Sequence, residues 1–278
     1  MTVSLHYEIS GPAGAPVVVL SGSLGTTLRM WQPMLDTLAH NGSARDGSAR
    51  DGTGEPWRVV RFDHRGHGGS PGPAGPYTME DLGRDVLSLL DTLALDRVSF
   101  CGLSLGGMIG QWLGVHAPDR IDKLALLCTA AYLPPAEGWL TRAATVRATG
   151  GTAGIAEPVF ARWFTAPFLA SRDAARMAEI ARYRKVLASM APEGYAGCCE
   201  AIAGLDLRAD LPRIGAPTLV VSGLEDPAIP PEFGAEIAAG VPGARFVVVA
   251  RAAHLASVEQ PVHIGRLVAA HIAGQEPT

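Results

Sequence analysis

The stretch Cys101-Gly102-Leu103-Ser104-Leu105-Gly106-Gly107-Met108-Ile109-Gly110-Gln111-Trp112-Leu113 decides how the rest of the chain is read. It follows the β-type run Arg97 to Leu103 and enters a glycine-rich helix start, so its G-x-S-x-G core sits at a strand-to-helix turn. Such a turn strains the serine backbone and lifts the hydroxyl above the sheet. Glycines must flank it, because a side chain there would meet the turn. Leu105 presents its N–H at a helix N-terminus, where developing negative charge is favoured. An incidental serine in a glycine-rich turn is the bland alternative; the strand before and the helix after favour a nucleophile. The serine also accounts for the glycines better than a bound nucleotide would.

Working outward, short apolar runs alternate with helical patterns. Val17 to Leu20, Trp57 to Phe62 and Lys123 to Thr129 read as further strands, and Ala216 to Ser222 and Ala244 to Ala250 resume the pattern late in the chain. Met79, Leu82, Val86, Leu89, Leu90 and Leu93 recur at helical spacing between Thr78 and Leu95, with Thr78 as cap and Asp81 as its reciprocal partner. Pro261 opens a last amphipathic helix. From about Pro134 to Asp210 no strand is convincing; helical stretches run around Trp139 to Ala148, Ala156 to Trp163 and Arg172 to Met190. The expected fold is α/β, a mostly parallel central sheet with an inserted helical cap. The core domain would comprise residues 1–132 and 211–278, and the cap 133–210. Two independent domains fit less well, since strands lie on both sides of the insertion.

A nucleophilic serine needs a base, and the base an orienting acid. His254 follows the last strand, and Asp226 follows the one before it, in Gly223-Leu224-Glu225-Asp226-Pro227. The chain order Ser104, Asp226, His254 is that of the α/β-hydrolase arrangement. Glu225 is a lesser rival acid. The strand after the nucleophile, where some relatives carry the acid, ends in Cys128-Thr129-Ala130-Ala131 without a carboxylate. The second oxyanion donor is expected in Ser21-Gly22-Ser23-Leu24-Gly25, with Leu24 N–H pairing with Leu105 N–H. Asp63-His64-Arg65-Gly66-His67-Gly68-Gly69-Ser70 could suggest a metal or acid–base cluster, but its spacing resembles no metal site. Loops braced by Asp63 and Arg65 are the preferred reading.

Composition narrows the rest. Of 278 residues, 47% are hydrophobic and 18% charged, which excludes a disordered chain. A net charge of −4 disfavours nucleic-acid binding, and no apolar run approaches membrane-spanning length. Met1 to Ile9 has no basic region before an apolar run, so no secretory leader is expected. Cys198 and Cys199 are adjacent, while Cys101 and Cys128 lie in apolar runs; reduced, buried thiols in a cytoplasmic protein are expected. Gly42-Ser43-Ala44-Arg45-Asp46 is repeated at once as Gly47-Ser48-Ala49-Arg50-Asp51, a polar loop with nothing to pack.

These motifs together resemble the α/β-hydrolases from end to end, and more narrowly the 3-oxoadipate enol-lactonases. The narrower likeness rests on Ser23-Leu24-Gly25-Thr26-Thr27, on the stretch 101–113, and on Arg162-Trp163-Phe164-Thr165 and Pro192-Glu193-Gly194-Tyr195-Ala196-Gly197-Cys198-Cys199 in the cap. The tandem repeat, and Ser21-Gly22 where many relatives carry His-Gly, depart from the pattern. The resemblance implies hydrolysis of an unsaturated lactone to 3-oxoadipate in aromatic catabolism, with no metal or organic cofactor and with Ser23 beside the substrate. The alternatives are a general carboxylesterase or cofactor-free perhydrolase with the same triad, or a ligand receptor on the same fold; a full triad argues against the receptor. The partner is a small lactone or ester bearing a carboxylate, not nucleic acid or membrane; the oligomeric state is left open. A desolvated carboxylate needs a basic partner. Arg142 or Arg162, with Trp139 or Trp163, is therefore expected to line the pocket above Ser104, against the alternative of solvated helix residues.

Overall fold

A computed structural model describes residues 2–41 and 57–275; the tandem repeat at 42–51 lies outside the described residues. In chain order the regular elements are β1 (Tyr7–Ser10), β2 (Val17–Ser21), α1 (Gln32–Asn41), β3 (Arg58–Phe62), α2 (Met79–Thr92), β4 (Val98–Leu103), α3 (Leu105–His116) and β5 (Ile121–Leu127). Five helices follow: α4 (Ala136–Thr149), α5 (Ala153–Phe160), α6 (Ala166–Leu169), α7 (Ala174–Ala188) and α8 (Pro192–Ala203). The chain then returns through β6 (Thr218–Gly223), α9 (Pro231–Gly240), β7 (Arg245–Val249), α10 (Ala256–Glu259) and α11 (Pro261–Ile272).

The seven strands form one sheet in the order β1-β3-β2-β4-β5-β6-β7. Only β1 runs antiparallel, against β3; every other pairing is parallel. Every residue of β4 and of β6 is buried. A parallel strand covered by helices on both faces must be apolar throughout, which is why these two read as continuous runs. The strand order reverses beside β2 and β4, and ligands of such sheets bind at the carboxyl ends around that reversal. Ser21 and Gly102 pair there, so the loops after both strands open at the same place.

Local signals explain the helices that matter. Thr78 accepts from Asp81 N–H at 3.1 Å while the Asp81 carboxylate accepts from Thr78 N–H at 2.9 Å, the expected reciprocal cap. The cap helix α8 was not expected from periodicity, because Gly194 to Cys199 is buried on all sides and carries no amphipathic signal. β1 was also unexpected: its four residues are largely exposed on the sheet edge. The strand expected at Lys123 begins at Ile121, its start hidden by the half-exposed Asp122 and Lys123.

The cap is fastened to itself and to the core. Arg147 of α4 meets Glu193 at 3.1 Å and Glu200 at 2.9 Å on α8. Gly66 of the core and Gly194 of α8 approach so closely that a Cβ on Gly194 would lie 2.4 Å from the Gly66 Cα. Gly66 also has φ +70°, so glycine is required there twice over. All four cysteines are free and buried. Burial pushes every thiol up, that of Cys199 to about 12. Among the described residues no helix is long and apolar enough to cross a membrane.

Candidate active site

Ser104 stands between β4 and α3 with φ +58°, a conformation a non-glycine residue adopts only under constraint. Three contacts impose it: Ser104 N–H donates to Leu127 carbonyl at 2.9 Å, and its own carbonyl accepts from Met108 N–H at 3.0 Å and Thr129 hydroxyl at 2.7 Å. The flanking glycines are required by close approach. A Cβ on Gly102 would fall 2.1 Å from the Gly106 carbonyl oxygen, and one on Gly106 would fall 2.0 Å from that of Ser21.

Above this turn, His254 Nε2 lies 2.9 Å from Ser104 Oγ, and His254 Nδ1 lies 2.9 Å from Asp226 Oδ2. An ionised carboxylate only accepts, so Nδ1 carries the proton and Nε2 is left to accept from the serine hydroxyl. Asp226 is held in turn by Ala228 N–H at 2.8 Å and Ile229 N–H at 3.0 Å, both on Oδ1. All three side chains are buried. Glu225, the rival acid, is exposed.

The loop after β2 supplies the facing wall. Ser23 N–H is taken by Met30 Sδ at 3.2 Å, Gly25 N–H by His67 Nε2 at 3.1 Å, and Gly106 N–H by the Gly22 carbonyl at 3.0 Å. Leu24 N–H and Leu105 N–H have no protein acceptor among the described residues. His64 Nε2 donates to the Gly22 carbonyl at 2.9 Å, and His67 Nδ1 donates to the Arg65 carbonyl at 3.1 Å. Burial lowers both imidazoles, that of His67 to about 4 with the neighbouring His64 adding to the effect, so they act as neutral braces.

The expectation that Asp63 and Arg65 brace loops is met. Asp63 accepts from Leu28 N–H at 2.7 Å and Gly69 N–H at 3.0 Å, and Arg65 grips Asp85 at 2.6 and 2.7 Å. Sequence reasoning missed that the two histidines hold the β2 loop directly; the placement of His67 between Gly66 and Gly68 was the available signal. Among the described residues no group of three or more His, Cys, Asp or Glu side chains could hold a metal ion.

A small cavity of about 50 Å³ covers the serine, lined by Ser23, Leu24, Ser104 and His254 below. Its roof holds Trp139, Arg142, Arg162, Trp163 and Tyr195. Where one cap arginine was expected, both are present. Arg142 stacks on the Trp139 ring at 4.5 Å, and neither arginine pairs with a carboxylate among the described residues. Burial and the like charge of Arg142 push Arg162 below its ordinary value. The Tyr195 hydroxyl, fully buried in the same wall, faces Arg142 and makes no close hydrogen bond among the described residues. Sequence reasoning noted Tyr195 only as part of a cap motif.

Beside the base lies a buried carboxylate that sequence reasoning also missed. Glu259 accepts from Ala253 N–H at 2.5 Å and, through its other oxygen, from the Thr165 N–H and hydroxyl at 2.8 Å each. Burial raises its carboxyl above the usual range. An acid amid the apolar run after His254 was its only trace in the sequence.

Known proteins share this arrangement of elements. The alpha/beta hydrolase fold family matches residues 15–261. 3-Oxoadipate enol-lactonase 2 of Acinetobacter baylyi is 38% identical over 93% of this chain and 89% of its own. The crystal structure of the enol-lactonase from Burkholderia xenovorans LB400 is 40% identical, with a TM-score of 0.87 over 98% of this chain and 97% of that one. A thermophilic esterase from Thermogutta terrifontis, solved with malate bound, is 26% identical with a TM-score of 0.81 over 95% and 92%. Agreement of this extent in both sequence and shape, with the serine on its strained turn at the sheet's reversal point, means that the chain belongs to the α/β-hydrolase family.

Proposed function

We propose that this hydrolase opens the enol-lactone of 3-oxoadipate, in aromatic catabolism, by way of an acyl-enzyme on Ser104. The observation that carries the reading is the pair of roof arginines, Arg142 and Arg162, facing a serine site without a carboxylate of their own. Two half-buried like charges repel, and a ligand anion relieves that repulsion while finding the bidentate donors it needs. The likeness to two enol-lactonases supports the same substrate.

In this reading Ser104 Oγ attacks the ring carbonyl as His254 Nε2 takes its proton. Asp226 keeps the imidazolium oriented and balances its charge. Leu24 and Leu105 N–H groups receive the oxyanion, aided by the N-terminus of α3. Collapse breaks the ring C–O bond. The enolate takes the proton from His254 and tautomerises to the ketone while still tethered as an acyl chain. Water, deprotonated by His254, then releases 3-oxoadipate. Ser23, Trp139 and Trp163 wall the ring. Residues 133–210 serve as the cap over a core of 1–132 and 211–278. Four free, buried thiols fit a cytoplasmic setting.

The test pairs the enol-lactone with a neutral aryl acetate. Preferred turnover of the lactone, and a fluorophosphonate adduct on the peptide bearing Ser104, are expected. Equal kcat/KM on both would favour a general esterase, the reading suggested by the likeness to the Thermogutta enzyme. An adduct elsewhere would overturn the mechanism.

A further inference from the structure

We infer that Glu259 is a positioning residue that sets the orientation of His254 and the placement of the roof residues Arg162 and Trp163 together. The inference rests on the reading of His254 as the base. It stands on the hydrogen bonds either side of that residue. Ala253 N–H, immediately before His254, donates to Glu259 Oε2 at 2.5 Å. Leu255 N–H, immediately after it, donates to the carbonyl of Trp163 in the cap at 2.9 Å. Two residues further along the cap, Thr165 donates to Glu259 Oε1 through both its N–H and its hydroxyl, at 2.8 Å each.

The loop that carries the base and the segment that carries Arg162 and Trp163 therefore share one buried acceptor. Glu259 itself is fixed by α10, its N–H donating to the Leu255 carbonyl at 3.1 Å. The Ala253 and Thr165 N–H groups are obligate donors, and the carboxylate gives each of them its own acceptor oxygen. A glutamine keeps one acceptor oxygen and would turn its NH2 against either Ala253 N–H or the Thr165 pair. A geometry that must hold Nε2 within reach of a serine tolerates little displacement, because misplacement by about 1 Å costs around a hundredfold in rate.

The experiment compares wild type, Glu259→Gln, Thr165→Val and Thr165→Ser in the full chain. Reactive serines are first counted with a fluorophosphonate, so that kcat is expressed per reactive site. For Glu259→Gln, kcat per site on aryl acetate should fall about tenfold or more. The ratio of kcat/KM for the anionic lactone over the neutral ester should fall by about a further fivefold. Thr165→Val removes only the hydroxyl, so a smaller loss in both is expected, and Thr165→Ser should restore it. This variant keeps the test available if Glu259→Gln does not fold.

A lowered melting temperature or fewer reactive sites, with kcat per site and the ratio unchanged, would mean that Glu259 is only structural. A fall in kcat with the ratio unchanged would overturn the coupling to the roof. Failure of the wild-type protein to label at Ser104 would instead defeat the proposed function, whatever Glu259 does.

Discussion

On the floor of the cavity Ser104, His254 and Asp226 spend their polar atoms on one another and on backbone N–H groups, whereas in the roof Arg142 and Arg162 line the cavity with no carboxylate partner among the described residues. The floor is complete before a substrate arrives, as a site must be if its geometry is to cost nothing at the moment of reaction. The roof is left incomplete, and a buried group without a partner is costly unless a ligand supplies one. Under the proposed function the difference divides the work, with chemistry on the floor and selection in the roof.

The largest effect should come from disturbing the floor. Asp226→Asn leaves the shape but not the tautomer, and kcat should fall by about four orders of magnitude. Glu225→Gln, altering an exposed neighbour, should stay within about twofold of wild type. Steady-state kinetics of the pair decides the acid; a crippled Glu225→Gln beside an active Asp226→Asn would reverse it.

Changing the roof should separate substrates rather than abolish turnover. Arg142→Ala or Arg162→Ala should weaken the anionic lactone by about 2 to 5 kcal/mol, while hydrolysis of a neutral ester continues. Parallel loss of both activities would erase the division between roof and floor.

Acid should loosen the floor through its braces. Burial holds His67 near 4, below the 6.5 of an exposed histidine, so the unfolded chain takes up a proton first as pH falls. The stability from this group is full above 6.5 and is lost on the way to 4, by about 3 kcal/mol. His64 is shifted the same way, and Glu259, pushed upward, offsets part of the change. Melting curves from pH 7 to 4 should show a decline, with the His67 imidazole still neutral by NMR at pH 5.5.

The smallest effect is expected from the tandem repeat. Deleting Gly47 to Asp51 leaves one copy of a polar repeat and should change stability by about 0.5 kcal/mol or less in a denaturant titration.

The floor was legible in the sequence because its parts follow strands. The buried parallel strands β4 and β6 are unbroken apolar runs followed by Ser104 and Asp226, and His254 follows β7, an edge strand whose valine run is still readable. What could not be read was what holds these residues from a distance. Glu259 acts across the boundary between core and cap, and His67 reaches Gly25 over 42 positions, so neither leaves a local periodicity. The roof was legible only as candidates. Arg142 lies in α4 and Arg162 in the turn after α5, where a solvated arginine and a pocket arginine look alike in sequence and only packing of the cap tells them apart.

The burial of every thiol makes the protein a blank background for spectroscopy. Met177 on α7 and Leu224 after β6 are both exposed large apolar residues, one on the cap and one on the core. With the native cysteines inaccessible to maleimides, Met177→Cys and Leu224→Cys would be the two reactive positions of a doubly labelled chain. Distances between paired spin labels there would follow the cap against the core as a substrate or inhibitor is added, with no need to strip out a native cysteine first.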